Sequence, residues 1–352
     1  MEIITGIKPK LTDRHIVAIE QVDRETVVSG IRPTGNLHLG NYFGALRNFV
    51  KMQERHQCFF FIADYHALTT HLNASELQGA VKNVLAQYLA AGLDPEKSTL
   101  YIQSDLPETA ELYLLLSMIA YLGELERCVS FKEKARKQPD NINAGLLTYP
   151  VLQAADIIIH KATKVPVGKD QQQHLEMTRD FAGRFNKLFG LEYFPEPTAY
   201  NFGNELLKIP GLDGSGKMGK SEGNAIYLVE APESIRKKMM RAVTDSGPVA
   251  PNSEKSEAIQ NLFTLMLAVS SPDTVAFFED AYNNCTIRYG DMKKQLAEDI
   301  IYFTTPFRER AEIYAKDQAK LSKIAKMGAE KAHESAAKTI KEVREIIGIK
   351  RL

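Results

Sequence analysis

The fold of this chain is decided near its N-terminus by one stretch, TVVSGIRPTGNLHLGN at residues 26–41. Its first five residues are rich in β-formers and end in Gly30, and a Pro/Thr/Gly/Asn loop follows. Apolar residues at positions 39, 43, 46 and 50 then fall on one helical face. Glycine at such a turn lets the backbone approach a ligand closely, and a helix N-terminus offers free N–H groups to phosphate. The stretch therefore predicts a phosphate-binding turn between a strand and a helix.

Strand and helix signals alternate through the rest of the first half. Residues 58–64 (CFFFIAD) are a continuous apolar run of strand length that ends in a polar residue. A strand buried on both faces of a parallel sheet has this pattern. Residues 75–91 are helical, and residues 99–103 (TLYIQ) are the next strand. Because strands separated by long helical stretches imply βαβ crossovers, we expect an α/β fold with a doubly wound parallel sheet.

The second half has a different character. Residues 111–137 form one long, mostly helical pattern, whose apolar start fits either a subunit interface or an internal core face. After residue 224, helical patterns follow one another at 234–243, 257–269, 273–284, 292–316 and 320–347. We therefore expect an N-terminal extension over 1–25 and an α/β domain over 26–221, with a helical insertion around 108–150. A helical domain over 222–352 follows, whose last helix can return to pack on the first domain.

Composition excludes several classes of protein. The 352 residues include 44 Lys+Arg and 44 Asp+Glu and are 44% hydrophobic, which fits a folded chain and not a disordered one. No apolar run approaches the ~18 residues that a membrane span needs. The N-terminal region lacks the pattern of a signal or transit peptide. Three widely spaced cysteines predict neither a disulfide framework nor a zinc knuckle. These features predict a reduced, cytoplasmic protein that is not bound to a membrane.

A second glycine-rich stretch, GLDGSGKMGKS at residues 211–221, carries two lysines. Such a loop is flexible and cationic, and it suits a polyphosphate whose charge changes during a reaction. Residues 214–221 also satisfy GxxxxGK[ST], the pattern of the phosphate-binding P-loop. A P-loop needs a strand directly before it and a helix directly after it. Pro210 interrupts any strand and residues 223–228 look extended, so we disfavour the P-loop interpretation.

The two loops together resemble the HIGH and KMSKS signatures of class I aminoacyl-tRNA synthetases, here HLGN at 38–41 and KMGKS at 217–221. The intervening sequence is similar to the bacterial tryptophanyl-tRNA synthetases in YLGELER (121–127), FKEK (131–134), AGLLTYP (144–150), AADI (154–157), VPVGKDQ (165–171) and AVTDS (242–246). The resemblance runs from about residue 27 to the C-terminus.

The resemblance implies an activity, cofactors and partners. The activity is ATP-dependent activation of L-tryptophan to tryptophanyl-adenylate, followed by transfer to tRNA(Trp), with Mg²⁺ accompanying ATP. The 26–221 domain would be a Rossmann-type catalytic domain, and the 222–352 domain would lie on the tRNA anticodon side. A homodimer would pair through the helical segment Leu112–Leu122.

The resemblance also implies roles for individual residues. ATP would be bound by Arg32, Pro33, Thr34, His38, Gly40 and Asn41, with Gly168, Lys169, Asp170 and Ile209 at the ribose and adenine. The phosphates would meet the catalytic lysines Lys134, Lys217 and Lys220, and Met218, Gly219 and Ser221 would complete the mobile loop. Tryptophan would be bound by Asp156, which reads the indole N–H, and by Tyr149, Gln153, Val167 and Gln171. No protein metal site is expected.

Four positions depart from the family's pattern. Arg32 stands where many members have glutamine, which makes a neutral phosphate contact a charged one. Gly219 replaces a serine of the mobile loop, Lys169 replaces an acid, and Gln153 occupies a position that is often methionine. These departures predict phosphate and indole contacts that differ in detail from the family's.

Alternatives stay open at this point. A tyrosyl-tRNA synthetase has the nearest fold, and a synthetase-like protein that has lost charging would act as a binding or regulatory module. Retention of Lys217, Lys220, Asp156 and Asp170 argues against that loss.

Single residues also have simpler interpretations. Asp156 could cap or end the apolar run 157–159. His66 and His71 could suggest a metal pair, but a spacing of five does not suit one helix face, so a structural role is favoured. His160 and His174 are interpreted as solvated or satisfied histidines.

Overall fold

The structure is a computed structural model that describes residues 25–70, 74–168, 171–200, 208–214, 216–220 and 222–349. The predicted N-terminal extension lies almost entirely outside the described residues. So do three predicted site residues, Lys169, Asp170 and Ser221, and the histidine at position 71.

A parallel sheet organises the first half of the chain. Its strands are β1 (Thr26–Ile31), β2 (Gln57–Ile62), β3 (Ser98–Ile102), β4 (Lys164–Val165) and β5 (Thr198–Ala199). They lie in the order β3-β2-β1-β4-β5, and every pairing is parallel. The central strands bury β-branched and aromatic side chains on both faces, for example Val27, Val28, Phe59 and Phe60. The predicted α/β fold with a doubly wound parallel sheet is confirmed.

Helices form the connections and the whole C-terminal part. In the first half they are α1 (Leu39–Asn41), α2 (Arg47–Met52), α3 (Asp64–Ala67), α4 (Ala74–Ala91), α5 (Pro107–Ser117), α6 (Leu122–Arg127), α7 (Val129–Lys137), α8 (Ala144–Ile158) and α9 (Gln172–Phe189). In the second half they are α10 (Pro232–Arg241), α11 (Glu257–Val269), α12 (Pro272–Asn283), α13 (Tyr289–Lys316) and α14 (Gln318–Ile347). A π-helical turn, Tyr42–Leu46, joins α1 to α2.

The helical pattern predicted over 111–137 is three helices, and not one. The backbone is extended at Tyr121 (ψ 130°), the N-cap of α6, and at Cys128 (ψ 122°), which ends α6 and is the N-cap of α7. Cys128 is fully buried, and this burial fixes the turn between α6 and α7. The helical period of the sequence does not reveal such a break.

The C-terminal helices pack directly against the sheet. One apolar cluster contains β1 and β2 residues such as Val27 and Phe60 together with Phe263 of α11 and Ile300 of α13. Gly328 of α14 lies so close to β3 that a Cβ there would come 1.7 Å from the Leu100 carbonyl oxygen. The helices after residue 222 therefore share a core with the sheet, and the domain boundary at that residue stays a prediction.

Over the described ranges, none of the helices combines the length and the apolar character that crossing a bilayer requires.

Candidate active site

The site lies at the carboxyl ends of the parallel strands. Arg32 follows β1 directly, Asp64 comes two residues after β2, and Gln103 follows β3 directly. The strand order reverses around β1, whose neighbours are β2 and β4. Open α/β sheets bind ligands in the crevice outside the strand ends at such a switch point.

The first signature loop is ordered by its own side chains. His38 is the N-cap of α1: its backbone N–H donates to Asn41 Oδ1 (3.1 Å), and the Asn41 N–H donates to His38 Nδ1 (3.3 Å). Burial, followed by the nearby Lys220 and Lys217, lowers the pKa of His38 to about 4. The ring is therefore neutral near pH 7. Because Nδ1 accepts, Nε2 carries the proton and can donate to a ligand.

Gly40 and Met218 bring the two signature loops together. A Cβ at Gly40 would come 2.9 Å from the His38 ring and 3.6 Å from the Cβ of Met218. The absence of a side chain is thus required by contacts within the protein as well as by any ligand. The first loop also shares backbone hydrogen bonds with residues 226–228, from Leu39 N–H to the Ile226 oxygen (3.0 Å) and from Leu228 N–H to the Leu37 oxygen (2.8 Å).

Asn224 holds the second signature loop in shape. Its Oδ1 accepts from the Gly219 N–H (2.9 Å), and its Nδ2 donates to the Lys217 carbonyl (3.2 Å) and to Asp213 Oδ1 (2.9 Å). The Met218 N–H donates to the carbonyl of Ile209, 3.0 Å away, and both side chains are buried. Sequence reasoning missed Asn224, because it lies just outside the glycine-rich stretch.

The P-loop interpretation is ruled out by the local structure. Residues 208–214 form turns and irregular backbone instead of a strand, and the next helix, α10, begins only at Pro232.

Three cations converge between the loops. Burial lowers the pKa of Lys134 to about 8 and that of Lys220 to about 8, and in both cases the charge of Arg32 lowers it further. Burial also lowers the pKa of Arg32. Lys220 Nζ donates to Thr34 Oγ1 (3.3 Å), while Lys134 Nζ lies 3.6 Å above the ring of Tyr149. Across the described part of the chain, no acidic side chain forms an ion pair with these three. Mutually repelling cations, of which Lys134 and Lys220 are half-buried and Arg32 is exposed, are a site built for a polyanion.

Asp156 forms the second half of the site. It lies inside α8 and is 1% exposed. Gln103 Nε2 donates to both of its oxygens (2.7 and 2.9 Å), and His66 Nε2 lies 2.8 Å from Oδ2. Burial raises the pKa of this carboxyl, and the hydrogen bond from His66 opposes the rise. Asp156 therefore serves as a buried acceptor held by two other elements, and not as a helix cap.

His66 and Gln103 were not predicted as site residues. The preference for a structural role of His66 overlooked its position, four residues after the end of β2. The available signal was that polar residues follow both β2 and β3, whose carboxyl ends meet at one edge of the sheet.

The remaining predicted substrate residues lie around Asp156. Tyr149, Gln153 and Asp156 are spaced i, i+4, i+7 along α8 and so share one face. The ring of Tyr149 lies 6.5 Å from that of His66, and Val167 is buried nearby in the same apolar cluster as α8. Gln153 Nε2 contacts Gln171 Oε1 at 3.5 Å. The Gly168 oxygen accepts from the Gln171 N–H at 3.0 Å, just beside the undescribed residues 169–170.

The comparisons with known proteins first define a class. Residues 21–305 match the family model for tRNA synthetases class I (W and Y), so the chain belongs to that class of aminoacyl-tRNA synthetases. It is 62% identical to the tryptophan–tRNA ligase of Porphyromonas gingivalis over 93% of this chain and 100% of the relative. It is 41% identical to that of Clostridium tetani over 93% of this chain and 96% of the relative. Within the class, the chain therefore belongs to the tryptophan–tRNA ligase family.

A solved structure agrees with this placement. The tryptophanyl-tRNA synthetase of Campylobacter jejuni, complexed with ADP and tryptophan, matches with a TM-score of 0.81 and 34% identity. The match covers 92% of this chain and 99% of that one.

Proposed function

We propose that this enzyme activates L-tryptophan with ATP, releases pyrophosphate, and transfers the tryptophanyl group from the adenylate to the 3′ end of tRNA(Trp). One observation carries the proposal. A buried carboxylate suited to an indole N–H lies at the same sheet edge as a cluster of three cations that, within the described residues, have no acidic partner and suit a triphosphate. The match to a synthetase complexed with ADP and tryptophan supports ATP as the nucleotide.

Activation needs no covalent bond to the protein. The tryptophan carboxylate attacks the α-phosphorus, a new C–O–P linkage forms, and the bond to the β-phosphate breaks to release pyrophosphate. Arg32, Lys134 and Lys220 are placed to offset charge on the phosphates, and His38 Nε2–H can donate to a phosphate oxygen. Because a bound polyanion raises the pKa of nearby lysines, ATP favours the charged forms of Lys134 and Lys220. Catalysis is then positioning plus electrostatic stabilisation.

Indole recognition follows from the hydrogen bonds of Asp156. A carboxylate offers about four lone-pair positions, and His66 and Gln103 occupy three of them. One position on Oδ1 remains for a ring N–H. The nearby Gln103 Oε1 is a second buried acceptor without a partner in the described structure. Both groups favour a ligand that donates, and the indole N–H can only donate.

Magnesium would accompany the nucleotide. Among the described residues, no group of three or more His, Cys, Asp or Glu side chains is placed to hold a metal ion. Phosphate oxygens and waters would supply ligands of Mg²⁺, which would neutralise part of the triphosphate charge. This division fits a site whose own charged groups are cationic.

The homodimer remains part of the proposal. On α5, the turn after it and the start of α6, Leu112 and Leu116 face the core, whereas Leu114, Met118 and Leu122 are 53%, 71% and 59% exposed. The segment is thus apolar on two faces, and the outer face suits a second copy of the chain. The three cysteines are all free, which supports a reducing compartment such as the cytoplasm.

Tryptophan-dependent exchange of labelled pyrophosphate into ATP tests the activation step. Exchange with tryptophan and not with tyrosine is expected, and the reverse would assign the chain to the tyrosyl enzymes. Aminoacylation of tRNA(Trp) tests the second step, and exchange without charging would indicate a protein that has lost transfer. Because the chain contains no tryptophan, emission from the bound amino acid reports binding directly.

A further inference from the structure

Helix α7 carries Lys134 to the phosphates but has almost no apolar anchor. None of its residues, Val129–Lys137, is buried, and Phe131 packs only partly against the core. A helix without a buried face has few contacts that fix its position. The placement of Lys134 must therefore depend on polar contacts along α7.

Those polar contacts converge on His174. Ser130 Oγ, in the first turn of α7, lies 2.8 Å from His174 Nε2 and makes a short hydrogen bond with the Tyr149 hydroxyl. The Tyr149 hydroxyl lies 2.9 Å from the same His174 nitrogen. His174 is 3% exposed and belongs to the first turn of α9. One buried imidazole thus joins α7, α8 and α9.

Two successive turns of α7 contact Tyr149. Ser130 and Lys134 are spaced i, i+4 and so share a helix face. Ser130 bonds the hydroxyl of Tyr149, while Lys134 Nζ lies over its ring at 3.6 Å. If Tyr149 shifted, Lys134, which faces the phosphates, would therefore shift with it.

The hydrogen bond between His174 and Gln171 defines which nitrogen of the imidazole carries the proton. His174 Nδ1 lies 3.0 Å from Gln171 Oε1, which can only accept, so Nδ1 carries the proton. Nε2 then accepts a proton from one of three neighbours: the Tyr149 hydroxyl, the Ser130 hydroxyl or the Cys128 thiol, whose Sγ lies 3.8 Å away. The neighbouring Gln173 makes a second hydrogen bond between α9 and α7, because its Oε1 accepts from the N–H of Val129, the first residue of α7 (2.9 Å).

We propose that His174 is a positioning residue: through Ser130 and Tyr149 it fixes α7, and hence Lys134, in the place where the triphosphate is stabilised. The proposal rests on the proposed function and deepens it, since it links the tryptophan side of the pocket to the phosphate side. His174 itself touches neither substrate in this arrangement.

The test uses His174→Gln and Ser130→Ala, each made in the parent enzyme and in a Lys134→Ala background. His160→Gln is the matched control, because His160 is also buried and bonds Tyr101 and Ser335 (both 3.1 Å) away from α7. The measurements are kcat and KM in tryptophan-dependent pyrophosphate exchange, and amide hydrogen exchange over residues 129–137.

In the parent background, both test variants should lower kcat by about 10- to 100-fold, the cost of misplacing a catalytic group by an ångström or less. In the Lys134→Ala background the same changes should cost less than about 2-fold, within the scatter of additive effects. Amides of α7 should exchange faster in His174→Gln and unchanged in His160→Gln.

Equal losses of kcat in both backgrounds would overturn the proposal, since His174 would then act independently of Lys134. Unchanged protection of α7 in both variants would overturn it as well. A parent enzyme without tryptophan-dependent exchange would instead refute the proposed function, and hydrogen exchange would still decide whether His174 fixes α7.

Discussion

Replacing Asp156 with asparagine should reduce the use of tryptophan without disturbing ATP. Asparagine keeps the size of the side chain but turns one carboxylate oxygen into an N–H₂ group. That group must face either His66 Nε2 or Gln103 Nε2, which lie 2.7–2.9 Å from the present oxygens. Because both of these nitrogens act as donors to the carboxylate, one contact becomes donor against donor. The variant thus loses both the charge and the geometry that leave a lone pair for the indole.

The magnitude follows from the bond that is lost. A hydrogen bond to a charged group contributes ~1.5–3 kcal/mol, which corresponds to a factor of about 10–150. We expect kcat/KM for tryptophan to fall by that factor in Asp156→Asn. The KM for ATP should stay within about 2-fold, because Arg32 and the lysines lie in other elements.

Pyrophosphate exchange at varied tryptophan gives kcat/KM, and the fluorescence of bound tryptophan gives affinity without chemistry. Asp105→Asn is the control: it removes an acidic charge from the same sheet edge but makes no bond to the Asp156 site. A substrate analogue with sulfur in place of the ring N–H completes the design. The parent should reject the analogue because it leaves the buried acceptor unpaired, and Asp156→Asn should reject it less.

The pH profile gives an independent check. Burial raises the pKa of Asp156, so its carboxylate is protonated at a higher pH than an ordinary aspartate. In the parent, kcat/KM for tryptophan should fall as pH decreases through that raised pKa, and the variant should lack this acid limb. A variant that used tryptophan at the parent rate and rejected the analogue equally would show that Asp156 is structural.

Four further outcomes are expected. Lys220→Ala should lower kcat by ~10²–10³ with little change in the KM for ATP, and a raised KM with unchanged kcat would contradict this. In the parent, kcat/KM for ATP should fall as pH rises through about 8, where Lys134 and Lys220 lose their protons; the double variant Lys134→Arg, Lys220→Arg should move this limb to higher pH in a pH–rate profile. Asn224→Ala removes three loop bonds and should lower kcat about 10-fold, whereas parent-like exchange rates would show that the loop holds without them. Met118→Lys should shift sedimentation at micromolar concentration from dimer to monomer, and a variant that stays dimeric would refute the assigned face.

The sheet was predictable because each of its longer strands can be recognised from its own residues. β1, β2 and β3 are each five or six residues of buried β-formers, and the predicted limits agree within one or two residues. β4 and β5 have two residues each, which is too short for any hydrophobic period. They are strands because they pair with β1 and with each other, and a pairing partner is not a local property of the chain.

The two signature loops could be found for the same reason, since the residues that mark each loop lie within a few consecutive positions of the sequence. The partners of Asp156 could not be found in this way. His66, Gln103 and Asp156 come from three separate elements and meet only when the parallel strands align their carboxyl ends. Yet a usable signal was present. A polar residue shortly after a buried strand is costly unless it has a partner. Gln103 follows β3 directly, and Asp64 and His66 follow β2 within four residues. In a predicted parallel sheet those residues should be grouped as one site before any single motif is weighed, and this rule would have selected His66 and Gln103.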